Sequence, residues 1–222
     1  MKTIVITGAN RGIGLALAGL FRDRGDQVIA VCRDSSPQLE ALGVQIKAGV
    51  DVTSGDSLRR LAACLDDTRI DVLVNNAGVM RKTDLEHIEQ QLDDYRVQFE
   101  VNALAPLRVT SALLGRLSDD ARVVIVSSRM GSLSDNSSAG HYGYRVSKAA
   151  ANMAGVTLAH ELKDKGIAVG LLHPGYVKTD MTGNTGDIDP LDAARGLIGR
   201  IDELTLENAG GFYHANGEKL PW

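Results

Sequence analysis

The sequence predicts an α/β fold, a doubly wound parallel sheet of about seven strands with helices on both faces. Three observations predict it. Short β-branched runs alternate with helical patterns along the whole chain, which implies right-handed crossovers and parallel pairing. The Val- and Ile-rich runs are near-continuous, as in strands buried on both faces. The first run, Thr3-Ile4-Val5-Ile6, passes through a glycine-rich turn into a helix.

In order, residues 3–7 form the first strand, and 13–24 form a helix with Leu17, Leu20 and Phe21 on one side. Residues 27–32 form the second strand, 37–42 a short helix, 44–50 the third strand and 54–66 the next helix. Strand four is 72–75, followed after a loop by a long helix over 92–117. Strand five is 122–127, a second long helix covers 142–165, and strand six is 168–173. A helix over 191–204 and a strand over 211–213 close the pattern. Loop-rich stretches fall at 79–88, 129–140 and 181–190. No repeat, linker or low-complexity segment interrupts the chain. It reads as one domain, 1–222, with a cofactor half over 1–110 and a catalytic and substrate half over 111–222.

Composition narrows the function classes. A net charge of −4, with no basic run, gives no footprint for nucleic acid. The apolar stretches are strand-length, so no membrane span is expected. The chain enters a strand at once, leaving no room for a signal peptide. The two cysteines, Cys32 and Cys64, lack metal-ligand spacing and read as free thiols, and a cytoplasmic location is the simplest. Five scattered histidines form no ligand set, so no metal is expected.

The turn Thr7-Gly8-Ala9-Asn10-Arg11-Gly12-Ile13-Gly14 is the first candidate site. Gly8 permits the tight turn, Gly12 lets backbone approach a pyrophosphate, and Gly14 lets helix and strand pack closely. Free amides at the helix start then meet the negative charge. In open α/β sheets, ligands bind beyond the strand C-termini, and every motif named here falls on that edge. The second candidate is Tyr144-Arg145-Val146-Ser147-Lys148. Tyr144 and Lys148, four apart on a helix, share one face. A nearby ammonium is expected to lower the phenol's pKa and make it a usable acid–base group. Tyr142 competes for that role, but Val146 stands where its lysine would be. Tyr142 and His141 read as pocket wall or packing, with His141 as a general base the minor alternative.

The glycine spacing G-x-x-x-G-x-G, Asn75-Asn76-Ala77-Gly78, Ser128 and the Tyr144/Lys148 pair together resemble the classical short-chain dehydrogenase/reductase family, over nearly the whole chain. The stretch His173-Pro174-Gly175-Tyr176-Val177-Lys178-Thr179-Asp180-Met181 and the closing Gly217-Glu218-Lys219-Leu220-Pro221-Trp222 resemble its C-factor and Sniffer-like carbonyl reductase group. The resemblance implies a Rossmann-type fold and a catalytic set of Asn102, Ser128, Tyr144 and Lys148. Ser128 would donate to a carbonyl oxygen, and Tyr144 would deliver the proton while a hydride reaches the carbon. Lys148 would tune the tyrosine and hold the nicotinamide ribose. Asn102 would kink its helix and hold a relay water, although Pro106 is a second candidate cause of the kink. Ser127, Ser132 and Ser147 are weaker candidates.

The same resemblance assigns cofactor contacts to Gly8, Asn10, Arg11, Gly12, Ile13 and Gly14, to Arg33, and to Asp51 and Val52 beside the adenine. It adds Asn75, Ala77 and Gly78 along the cofactor and Pro174, Gly175, Val177 and Thr179 over the nicotinamide. NAD-preferring members carry an acid at the end of strand two. Cys32 stands there, followed by Arg33, and Arg11 lies in the turn. Arginine forks suit a phosphate monoester, so NADP(H) is expected. With the register one residue off, Asp34 becomes the ribose acid. The Ser128–Tyr144 interval of 16 is slightly long, and the 181–190 loop is short, which implies an open or shallow pocket for varied carbonyl compounds. The implied activity is NADP(H)-dependent carbonyl reduction in a homodimer or homotetramer. The second reading is an NADP(H)-binding signalling protein of the C-factor kind with little turnover. Retention of the Tyr/Lys pair favours the enzyme.

Overall fold

The computed structural model describes residues 1–222. Seven parallel strands form one sheet. They are β1 (Thr3–Thr7), β2 (Gln27–Val31), β3 (Gln45–Lys47), β4 (Ile70–Asn75), β5 (Leu117–Val126), β6 (Ala168–His173) and β7 (Phe212–His214). Their spatial order is β3-β2-β1-β4-β5-β6-β7. The order reverses between β1 and β4, and that is where a crevice opens at the C-terminal edge. The doubly wound sheet is therefore as the sequence predicts.

Helices α1 (Gly12–Asp23) and α7 (Pro190–Glu203) cover one face, where Leu17, Phe21, Leu197 and Ile201 pack on Ile4, Ile6, Val72, Val124 and Leu172. Leu39 of the short α2 (Pro37–Glu40) joins this layer. Helices α3 (Gly55–Ala63), α5 (Ala105–Leu113) and α6 (Tyr142–Leu162) cover the other face through Leu58, Leu61, Val109, Leu113, Leu158 and Leu162. Helix α4 (Leu92–Phe99) packs beside α6. Local chemistry marks the ends: the Ser54 hydroxyl accepts the Ser57 N–H at 3.3 Å to cap α3, and Pro37 and Pro190 open α2 and α7.

The structure corrects three sequence assignments. The third strand is only 45–47, an edge strand rather than a run to Val50. Gly49 beyond it takes φ +73, and its N–H goes instead to Arg33 O at 2.8 Å. The long helix expected over 92–117 is α4, a π turn at Glu100–Leu104, then α5, which ends at Leu113. The fifth strand starts at Leu117, earlier than 122, because Leu117 pairs with Ile70 ahead of a register shift.

Candidate active site

The glycine turn is held from beneath by β4. The Thr7 hydroxyl accepts the N–H groups of Asn76 and Ala77, each at 3.1 Å. The Asn76 amide donates to Thr7 O at 3.0 Å and Gly8 O at 3.1 Å. Gly8 takes φ +65, and a Cβ there would lie 2.9 Å from Ala77 Cα. A Cβ on Gly14 would strike Gly8 O and the Asn76 amide, so Gly14 serves packing and does not line the crevice. Helix α1 begins with no side-chain cap and no acid in its first turn. Its first amides are thus left for an anion.

Above the turn lies a cleft of about 720 Å³, within the size range of small-molecule and cofactor sites. Gly8, Asn10, Arg11, Gly12, Ile13, Arg33, Asp51, Val52, Ala77, Gly78, Tyr144, Lys148, Pro174 and Thr179 line it. The far wall is close: a Cβ on Gly12 would sit 3.3 Å from the Thr179 methyl. Arg11 reaches across to Asp180 at 3.5 Å, while Arg33 forms no ion pair. Asp51 is held below the usual carboxylate range by the Thr53 N–H and then the Thr53 hydroxyl, at 2.9 and 2.8 Å, with Arg33 adding to this. The Cys32 thiol also lines the cleft; burial, then the Asp34 charge, push its pKa up, so it stays protonated. A phosphate-bearing dinucleotide fits this donor set: a bare helix start, two guanidinium groups and backbone too close for side chains.

Asn75, Gly175 and Val177 are not on the lining. The Asn75 amide donates to Thr110 Oγ1 at 3.3 Å inside the sheet layer, a structural use. Val177 is buried and bridges to Ile188. Gly175 takes φ +93 with Ile188 against it. The segment from Tyr176 to Asp189 folds back on itself through Lys178 N to Ile188 O at 2.9 Å, Asp187 N to Tyr176 O at 2.7 Å, and a Tyr176–Thr185 hydroxyl contact. The short loop over 181–190 is thus internally bonded, and its Met181, Asn184 and Pro190 line the cleft.

The end of β5 and one stripe of α6 meet beside the cleft. Lys148 Nζ donates to Val126 O at 2.8 Å. The Ser128 hydroxyl faces the Tyr144 phenol and accepts the Met130 N–H at 3.2 Å. Neither Ser128 nor Asn102 lines the cofactor cleft itself. The Asn102 side chain is spent on Val79 N, Val79 O and Ser147 Oγ at 2.9, 2.8 and 3.0 Å. Its main-chain carbonyl lies in the π turn, and the residue four on is Pro106, which has no N–H to give it.

One electrostatic expectation fails. Burial pushes Tyr144 up to about 12, the Ser128 bond only partly opposing it, and Lys148 is not among the causes. The ammonium sits 5.7 Å from the ring centroid and bonds to Val126 instead. Burial also pulls Lys148 down to about 8. Burial is the leading cause of both shifts. His173 lies behind this site, driven down to about 3 by burial, then by His214, Arg129 and Lys148, so it stays neutral. Sequence reasoning missed Asn152, kept Ser127 only as a weaker candidate, and quoted Asn76 and Asp180 within motifs without giving them a role. The spacing that flagged Tyr144 and Lys148 also contains Asn152, one turn further on.

A family model described as short chain dehydrogenase matches residues 2–189. The chain is 43% identical over 228 residues to 1-hydroxy-2-glutathionyl-2-methyl-3-butene dehydrogenase of Rhodococcus sp. (strain AD45), covering 100% of both. It is 43% identical over 159 residues to C-signal of Myxococcus xanthus, covering 69% of this chain and 93% of that one. Among solved structures, NADPH-bound carbonyl reductase from chicken fatty liver superposes with a TM-score of 0.90 at 27% identity, covering 100% of this chain and 99% of that one.

Proposed function

This chain belongs to the short-chain dehydrogenase family, in its C-factor and Sniffer-like carbonyl reductase group, and from that premise we propose that it is an NADP(H)-dependent oxidoreductase reducing an aldehyde or ketone to an alcohol, or running the reverse. The observation that carries this reading is the gathering of Ser128 behind Tyr144 and Lys148, which line a cleft that also holds Arg11 and Arg33. When bound, the cofactor supplies or accepts the hydride. The chain's own residues handle orientation and the proton. Ser128 accepts from Met130, which leaves its own O–H for the substrate oxygen. Tyr144, with a pKa near 12, is fully protonated at neutral pH and is the donor for reduction. Lys148 uses one proton on Val126 O and keeps two for ribose hydroxyls and for a water at the Asn102 carbonyl. Catalysis then rests on orientation and acid–base transfer, which together give large accelerations. The two unpaired thiols suit a reducing compartment such as the cytoplasm.

The test is NADPH oxidation against a panel of aldehydes, quinones, diketones and pterins. A glutathione-conjugated alcohol, suggested by the name of the Rhodococcus relative, is run in the oxidative direction. Turnover of at least one is expected. The likeness to C-signal favours the other reading, a binding protein that signals, and NADPH binding with no turnover across the panel would select it.

Cofactor choice is a sharper test. Arg33 and Arg11 would grip the 2′-phosphate, Arg11 exchanging Asp180 for it. NADPH should bind at least about tenfold tighter than NADH, roughly 1.4 kcal/mol. Arg33→Ala and Arg11→Ala should each erode the preference in fluorescence titrations, and equal affinities in the unmodified protein would remove the assignment.

We also propose a homodimer or homotetramer. The outward stripe of α6 is Val146, Ala150 and Met153, with Val146 and Met153 57% and 70% exposed. Val97 and Phe99 on α4 are also part-exposed. Ala151 and Leu158 on the same helix are buried in the core. A self-complementary apolar stripe suits a twofold contact. Light scattering should give a multiple of 23.7 kDa, and a monomer mass at micromolar concentration would reject the proposal.

A further inference from the structure

The geometry points to Asn152 as a positioning residue for Ser128, an inference that rests on the reading of Ser128 and Tyr144 as the substrate-binding pair. Helix α6 presents Tyr144, Lys148 and Asn152 on successive turns, and all three are buried. Each meets the end of β5 or the residues just after it. Tyr144 faces Ser128, and Lys148 bonds Val126 O. Asn152 takes the position between and the turn beyond: its Oδ1 accepts the Ser127 hydroxyl at 2.5 Å, and its Nδ2 donates to Gly131 O at 3.3 Å.

Those two contacts bracket Ser128. The aim of its hydroxyl is set by the 3-10 turn Arg129–Gly131, because Met130 N donates to Ser128 Oγ at 3.2 Å and Gly131 N donates to Ser128 O at 2.8 Å. The turn is pressed against α6, since a Cβ on Gly131 would sit 2.7 Å from the Lys148 carbonyl carbon. Asn152 is the α6 side chain that bonds the turn's backbone. It does not line the cleft. Its effect reaches Ser128 through Ser127 and the turn, and a misplacement of a reacting group by about 1 Å can lower a rate about 100-fold.

The experiment is a double-mutant cycle between Asn152→Ala and Ser128→Ala, read as kcat, KM, NADPH affinity and the pH profile of kcat. Asn152→Ala should lower kcat about 10- to 100-fold. NADPH affinity should stay within about twofold, and the alkaline limb of the profile should move in the direction Ser128→Ala moves it. In the Ser128→Ala background, Asn152→Ala should cause less than about a twofold further loss. Unchanged kcat, or a loss that multiplies fully with that of Ser128→Ala, overturns the inference. If Asn152→Ala does not fold, Ser127→Ala cuts the same link and must show the same non-additivity. Tyr144→Phe is run alongside: an active Tyr144→Phe enzyme defeats the reading of the site, whereas an inactive one with a normal Asn152→Ala defeats only this inference.

Discussion

Tyr144→Phe should lower kcat by roughly three orders of magnitude while NADPH still binds, because only the proton donor is removed. The ring stays, so the packing of α6 on the end of β5 is kept, and the cleft loses a single hydroxyl at its edge. Tyr142→Phe should change turnover by no more than about twofold. Tyr142 is 41% exposed, and the residue four positions on is the outward-facing Val146 rather than a lysine. Steady-state kinetics on the two variants, with NADPH fluorescence as the binding control, decides the matter. A dead Tyr142→Phe beside an active Tyr144→Phe would move the chemistry to the other tyrosine.

Lys148→Met should abolish most turnover and also change how stability responds to pH. Burial sets the folded pKa of Lys148 at about 8, below its ordinary 10.5. Between those values the unfolded chain binds more protons than the folded one, so the free energy of unfolding rises as pH rises. Below pH 8 the full penalty is present; it is relieved progressively toward pH 10. The whole window is worth about 3 kcal/mol. Above about pH 10 Tyr144 acts in the opposite sense, since burial keeps it protonated when the unfolded phenol has ionised. Urea midpoints of the cofactor-free protein should therefore climb from pH 7.5 toward pH 10 and fall beyond. Lys148→Met should lack the climb. Parallel curves for the two proteins would show that Lys148 is not desolvated in solution.

Periodicity and glycine spacing disclosed most of the fold because they report local geometry directly. The runs at 3–7 and 168–173 match β1 and β6 at both ends. What stayed hidden depends on partners remote in sequence. Leu117 joins β5 only because Ile70 is there to pair with it, and Asn102 and Pro106 announced a kink in 92–117 but not its form as a π turn. The site shows the same division. Tyr144 and Lys148 were legible from a four-residue spacing. The direction of the tyrosine's pKa was not, because it depends on burial and on where the ammonium points. Asn102 was legible as a position, but its side chain turns out to brace Val79 and Ser147. Asn152 was overlooked because an asparagine inside a helix looks ordinary until its strand neighbours are known.

The way Asn76 and Thr7 grip the glycine turn bears on the thermodynamics of cofactor capture. Four hydrogen bonds from these two residues hold residues 7 and 8 against β4 in the cofactor-free protein. A loop that had to be ordered by its ligand would subtract that ordering entropy from the affinity. Here the loop's freedom was surrendered when the chain folded. Calorimetric binding entropy should then reflect water leaving the cleft and the dinucleotide losing its own rotations, with little contribution from backbone ordering at the turn.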